Sequence, residues 1–195
     1  MGETILVSTF YSFEPFVPVA HAFSPTKIIL LVDADISKIK NHLDKVKEMY
    51  SKVSTVRIVE VNSKDLVSIA SKIVDVLEGF SEPVIVNVSG GWKILMQGVL
   101  YGCYARPELV SKIVCTRIED NKQIVELPKL SFGLSSAKKK LLIEISKRNG
   151  KSIAQIALKL GKTRGMLYQH LKELKESGYV DSSFRITEAG RLGVL

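Results

Sequence analysis

Four short runs rich in Ile and Val recur along the first half of the chain, at Thr4–Thr9, Lys27–Val32, Val56–Val61 and Pro83–Val88. Segments long enough for a helix separate them. Short, continuously apolar, β-branched runs are what strands covered on both faces of a parallel sheet look like. The intervening segments carry helical spacing. Ser37–Val53 sets Ile39, Leu43, Val46 and Tyr50 on one face, and Lys64–Leu77 does the same with Leu66, Ile69 and Ile73. Trp92–Ala105 is apolar over most of its surface. Strand–helix alternation implies right-handed crossovers and a Rossmann-like, mostly parallel sheet. Residues Lys112–Ile118 and Gln123–Leu127, split by the polar stretch Glu119-Asp120-Asn121-Lys122, read as a final antiparallel pair.

The last third follows a different rule. Residues 1–127 hold 14 Lys/Arg against 15 Asp/Glu, a net of −1; residues 128–195 hold 14 against 5, a net of +9. The whole basic excess therefore lies in one region, the footprint expected of a nucleic-acid-binding module. The alternative is a lysine-rich surface that is merely well solvated. Pro128, Gly133 and the pair Ser135-Ser136 mark the change of pattern. We expect domains at 1–130 and 131–195.

Helix signals in the second region come in quick succession. Ser136–Lys147 carries Leu141, Leu142 and Ile145, and Gly150 ends it. Ser152 caps a second helix with Ile153, Ile156, Ala157 and Leu160 at i, i+3, i+4 and i+7; Gly161 breaks it. Thr163 caps a third, with Leu167, Leu171 and Leu174 inward and Gly178 as its stop. A small hairpin around Asp181-Ser182-Ser183 and a short helix from Thr187 complete a winged helix-turn-helix. The outward face of the third helix offers Arg164, Gly165, Tyr168 and Gln169 to base edges, where Arg suits guanine and Gln suits adenine. Lys162, Thr163, Lys172 and Arg185 are expected at the phosphates or the helix mouth. The expected partner is double-stranded promoter or operator DNA. A winged helix used for protein contacts is the alternative.

In open α/β sheets ligands lie beyond the carboxyl ends of the strands. Two loops qualify: Ser8-Thr9-Phe10-Tyr11-Ser12-Phe13-Glu14 after the first strand and Asn87-Val88-Ser89-Gly90-Gly91-Trp92-Lys93 after the fourth. Gly90-Gly91 lets backbone approach a ligand, the helix start offers free N–H groups to a phosphate, and Lys93 adds charge. Trp92 could stack on a base. The alternative is a tight turn with Ser89 as cap, Trp92 in the core and Lys93 solvated. Neither the GxxxxGK[ST] loop nor the GxGxxG fingerprint is present, which weighs against a nucleotide triphosphatase or a nicotinamide dehydrogenase. Gly98 and Gly102 suggest close helix packing against the sheet or a second subunit, with plain core packing as the alternative. Asp33 and Asp35 resemble a metal pair, yet Asp35 or Ser37 is better placed as a helix cap. His21, His42 and His170 are scattered, so neither a metal nor a metal cofactor is expected.

Cys103 and Cys115 form no CxxC or zinc-type set, which fits a reduced, cytoplasmic compartment. No run approaches 18 apolar residues, and the start lacks the pattern of a signal peptide or a myristoylation motif. No membrane association is expected.

A Rossmann-like domain with Ser-Gly-Gly-x-Lys after its fourth strand, followed by a winged helix, resembles the CARF-domain transcriptional regulators of archaeal CRISPR-Cas systems (the Csa type). The resemblance implies a homodimer in antiviral defence that binds cyclic oligoadenylate, typically cyclic tetra-adenylate, across its two-fold axis as an allosteric ligand. It implies a first ligand motif at Ser8, Thr9, Phe10 and Ser12, and a second at Ser89, Gly90, Gly91, Trp92 and Lys93, preceded by Asn87. It implies no catalytic residue. Some CARF domains nevertheless cut the ring without a metal, by attack of its ribose 2′-hydroxyl, aided by a serine and a lysine. Here those would be Ser8 or Ser12 with Lys93, which makes a ring nuclease the second expectation. A sensor for another nucleotide or phosphate ester is the third.

Overall fold

A computed structural model describes residues 3–33, 36–62, 65–117, 123–147 and 152–195. The chain divides into two compact units, Met1–Ser131 and Phe132–Leu195.

The first unit is a six-stranded sheet: β1 (Ile5–Thr9), β2 (Lys27–Asp33), β3 (Thr55–Val61), β4 (Val84–Asn87), β5 (Val110–Arg117) and β6 (Gln123–Leu127). The strand order is β3-β2-β1-β4-β5-β6. All pairs are parallel except β5–β6, which is antiparallel. The chain winds outward from β1 in one direction, then restarts beside β1 with β4 and winds the other way. The crevice between the β1 and β4 loops is the topological switch point of the sheet.

Helices cover both faces. Alternation along β1 sends Ile5 and Val7 to one face, under α3 (Leu66–Glu78) and α4 (Lys93–Ala105), and Leu6 to the other, under α1 (Val17–Phe23) and α2 (Lys40–Tyr50). The helix α1 was not expected. It has seven residues with proline in its first turn, too short for helical periodicity to register. A 3₁₀ turn, Ile36–Ile39, leads into α2, whose N-cap position is Ile39 without a side-chain bond. Ser37 therefore does not cap it, and Asp35 lies outside the described residues. Asp65 caps α3 by accepting from Val67 and Ser68 N–H.

The two helical glycines find their reason inside the unit. A Cβ on Gly98 would come within 2.6 Å of Ile69, and one on Gly102 within 2.0 Å of Ile73 Cγ2 and 2.8 Å of the Ala70 carbonyl. The stripe is where α4 lies directly against α3, so it does not face the sheet or a second subunit. Cys103, next along α4, is buried in the core of the unit, and burial pushes its thiol up to about 12.

The second unit holds α5 (Ser136–Ser146), α6 (Ile153–Lys159), α7 (Arg164–Glu176) and α8 (Glu188–Gly193). Ser152 and Gln155 form a reciprocal capping box, and Thr163 accepts from Met166 N–H to cap α7. Leu141, Leu142, Ile156, Leu167, Leu171 and Leu174 meet in one core. The wing is slighter than a hairpin: a single bridge pairs Val180 with Ile186. Asp181 Oδ1 accepts N–H bonds from Ser183 and Arg185, which closes the turn. The expected helix stop at Gly150 and the turn at 119–122 lie outside the described residues.

Candidate functional site

The carboxyl ends of β1 and β4 carry two polar residues in register, Ser8 and Asn87. Neighbours in register point to the same face, so their side chains meet. Asn87 Nδ2 donates to Ser8 Oγ at 3.0 Å, and Ser8 Oγ donates to the Thr9 carbonyl at 2.9 Å. Asn87 Oδ1 accepts from Ser89 N at 3.2 Å and from the Ser89 hydroxyl. Thr9 Oγ1 accepts from Gly90 N at 3.2 Å and donates to the Asn87 carbonyl at 3.4 Å. Ser8, Thr9 and Asn87 are almost wholly buried. Burying polar groups is tolerable because each finds partners here. The network fastens the two loops to each other.

Two glycines let the loops close. A Cβ on Gly90 would stand 2.8 Å from the Thr9 carbonyl oxygen and 3.2 Å from Phe10 Cα. Gly91 has φ +92°, in the left-handed region that favours glycine.

Above this frame lies a cleft of about 160 Å³ lined by Phe10, Tyr11, Asp33, Lys38, Gly91 and Trp92, among others. At its mouth Tyr11 and Trp92 stand edge to face, with ring centroids 5.9 Å apart. Both are exposed, 42% and 54%. Trp92 is thus not a core residue, and the expectation of a bland turn fails on that point. Ser89 is not a cap either: it bonds Asn87 and accepts from Thr116 N at 2.7 Å, and the N-cap position of α4 is Trp92.

The ten residues expected to touch a ligand therefore separate by depth. Phe10, Gly91 and Trp92 line the cleft. Ser8, Thr9, Asn87 and Gly90 are buried beneath it and build the loops. Ser12 and Ser89 are half-buried, and Lys93 is exposed on the first turn of α4. Ser8, with its hydroxyl wholly buried and bonded within the frame, is not displayed to a ligand.

Three contributions escaped the sequence reading. Tyr11 stood in the loop but was not singled out. Lys38 reaches the cleft from the turn after β2. Thr116 donates its Oγ1 to the Pro15 carbonyl at 2.8 Å while its N–H binds Ser89, so it holds both loops at once. Only the adjacency of β4 and β5 could have revealed it.

In the second unit, Lys162, Thr163, Arg164, Gly165, Tyr168, Gln169 and Lys172 are exposed along the start and outer face of α7, and Arg185 is exposed on the wing. Gly165 has nothing within 4 Å of where a Cβ would stand. Gln169 Nε2 donates to Glu173 Oε1 at 2.8 Å. Glu173 also accepts from Lys138 Nζ at 3.0 Å, and these two bonds lead the causes that hold its carboxyl down at about 2.

The geometry defines a class: a ligand-type crevice on a doubly wound sheet, joined in one chain to a winged helix-turn-helix. Residues 20–128 match the family described as the Csa3 CRISPR-associated Rossmann-like domain. The chain belongs to that family, and residues 134–181 match winged helix-turn-helix DNA-binding domains. A comparison with curated proteins gave no match. Among solved structures, protein VC1899 from Vibrio cholerae is similar at TM-score 0.50 and 15% identity, covering 98% of this chain and 64% of that one. Can2 from Sulfobacillus thermosulfidooxidans, solved with cyclic tetra-adenylate, is similar at TM-score 0.48 and 14% identity, covering 98% and 63%. This chain thus spans under two thirds of either protein. Among the described residues no helix is long and apolar enough to cross a membrane.

Proposed function

We propose that this chain is a transcriptional regulator of CRISPR-Cas genes that binds promoter DNA through α7 and its wing. Its sheet unit senses cyclic oligoadenylate, with cyclic tetra-adenylate as the ligand and two copies of the chain holding one ring. The observation that carries this reading is the pair of interlocked loops at the switch point, with two exposed aromatic rings and a helix start on display above a buried polar frame.

The parts fit the ligand chemically. Aromatic rings offer stacking surfaces to adenine, worth about 1–3 kcal/mol per base in single-stranded recognition. The first turn of α4 and Lys93 offer N–H groups and a positive charge to phosphate. A cleft of about 160 Å³ is small beside ordinary ligand pockets of roughly 300–1,000 Å³. A cyclic oligonucleotide outgrows it and has a two-fold shape, which suits a ring shared between two clefts. No metal is called for. Ring cutting by a serine and Lys93 would fall to Ser12, because the Ser8 hydroxyl is buried within the frame.

Leu127, the last residue of β6, pairs with Ile113 in the middle of β5, and the antiparallel pairing runs β6 away from the cleft end of the sheet. The strand β5 touches both ends. Thr116 binds the loops at one end, and the Val110 carbonyl accepts from Lys129 Nζ at 2.9 Å at the other. A ligand shifts DNA affinity only insofar as it binds one arrangement of this assembly better than another.

The test is duplex-DNA binding by the full chain, with and without cyclic tetra-adenylate, over a range of salt. Affinity should fall steeply with salt, change on adding the ring, and drop in Arg164→Ala; Lys172→Ala should lower the salt slope by about 1. Binding that ignores the ring would sink the sensing half of the proposal. Binding untouched by either substitution would sink the placement of α7.

A further inference from the structure

The outer face of α7 carries a small device that the DNA-binding reading leaves unexplained. Leu167, Leu171 and Leu174 are buried, so helical geometry turns Gly165, Gln169, Lys172 and Glu176 outward. Glu173 sits one step to the side, within reach of Gln169 a turn earlier, and the bond forms at 2.8 Å. The carboxylate is itself held: Lys138 of α5 binds its other oxygen at 3.0 Å, and His170 Nδ1 stands 3.6 Å from that oxygen. Gln169 is therefore anchored through Glu173 to a second helix of the same unit.

That anchor settles the orientation of the amide. An ionised carboxylate can only accept hydrogen bonds, so only the NH₂ end of Gln169 can face Glu173. The bonds from Gln169 and Lys138 keep the carboxyl ionised down to about pH 2. The Gln169 carbonyl oxygen then points away from Glu173, and one N–H remains unspent beside it. An acceptor beside a donor is the complement of adenine, whose major-groove edge offers the N6–H₂ donor and the N7 acceptor. An unanchored glutamine can rotate its amide and offer its N–H donors to guanine O6 and N7 instead. Gly165, one turn earlier on the same face, bears no side chain that could stand between this amide and a base.

We propose that Glu173 is a positioning residue that makes Gln169 an adenine reader, by fixing its amide with one acceptor and one donor toward the major groove. The proposal rests on α7 as the groove-entering helix and names what that helix reads. Lys138 has a second part in it: it offsets a negative charge that would otherwise face the DNA phosphates.

The test is selection of binding sites from a randomised duplex pool with the full chain, run in parallel for wild type, Gln169→Ala, Glu173→Ala and Glu173→Gln. Wild type should enrich adenine at one position of the selected site, and Gln169→Ala should lose that preference. Glu173→Ala should cut the preference for adenine over guanine at that position about tenfold, leave the other positions unchanged, and raise affinity for unrelated DNA because a negative charge is gone. Glu173→Gln keeps an acceptor for the amide but can also donate, so its preference should lie between the two; it also retains the link between α5 and α7 should the alanine variant fold poorly. A purely structural role for Glu173 would lower affinity at all positions alike. Unchanged adenine preference in both Glu173 variants, or no position that depends on Gln169, would overturn the proposal while leaving DNA binding intact. No enrichment by wild type would overturn the reading of α7 itself, and this inference with it.

Discussion

Gly90 lies three residues before α4 and Gly165 in the first turn of α7, and they differ in what surrounds them. A Cβ on Gly90 would strike the Thr9 carbonyl at 2.8 Å; a Cβ on Gly165 would meet nothing within 4 Å. The first glycine answers to the protein's own packing. The second meets no such packing among the described residues, and lies in the first turn of a helix, for which alanine is the better former. The contrast holds for the surroundings of each. The cleft is built from inside, by buried Ser8, Thr9 and Asn87 bonded to one another. The outer face of α7 is displayed on a small leucine core, with most of its polar groups exposed. A site for a small ligand needs its loops fixed beforehand, whereas a site for duplex DNA needs charge and reach.

Substitutions can break this contrast or sharpen it. The largest effect is expected from Gly90→Ala, which forces the β1 and β4 loops apart. It should cost about 1–3 kcal/mol, read by thermal unfolding, with hydrogen exchange locating the loss around Thr9 and Asn87. An unperturbed cleft in this variant would mean that the two loops are not interlocked. Next comes Thr116→Val, which keeps the strand shape and the N–H bond to Ser89 but removes the hydroxyl bond to Pro15. About 1 kcal/mol of stability should go, with faster exchange confined to the loop after β1. Faster exchange across the whole sheet would contradict a local clamp. The smallest change is Gly165→Ala, which should stabilise the second unit by up to about 1 kcal/mol and yet weaken duplex binding. A stabilised variant with undiminished affinity would place Gly165 away from the DNA.

The same contrast explains what could be read from the sequence. The strands were legible because Ile and Val runs such as Lys27–Val32 need no partner to be recognised. The helices of the second unit were legible because Ser152 and Thr163 are local cap signals, and both serve as caps in the structure. The strand β1 to loop and strand β4 to loop segments were picked out because open sheets place ligands there. What stayed hidden depends on elements distant in sequence. Thr116 joins the site only because β5 lies beside β4. The roles of Gly98 and Gly102 depend on Ile69 and Ile73 of another helix. Ser8 and Asn87 stand out in the sequence by their place at the ends of β1 and β4; that their register also makes them partners of each other is visible only in the sheet. The helix α1 was missed for a local reason, since seven residues with a proline carry almost no periodic signal.

The central claim is that the sheet unit receives a shared ring. Calorimetric titration of the full chain with cyclic tetra-adenylate, with the ligand recovered and inspected afterwards, tests it most directly. The account predicts one ring bound per two chains, weakened at least tenfold by Lys93→Ala or Trp92→Ala, and an intact ring at the end. Absence of binding, or one ring per chain, would contradict it; a cut ring would make the sheet unit an enzyme as well as a sensor.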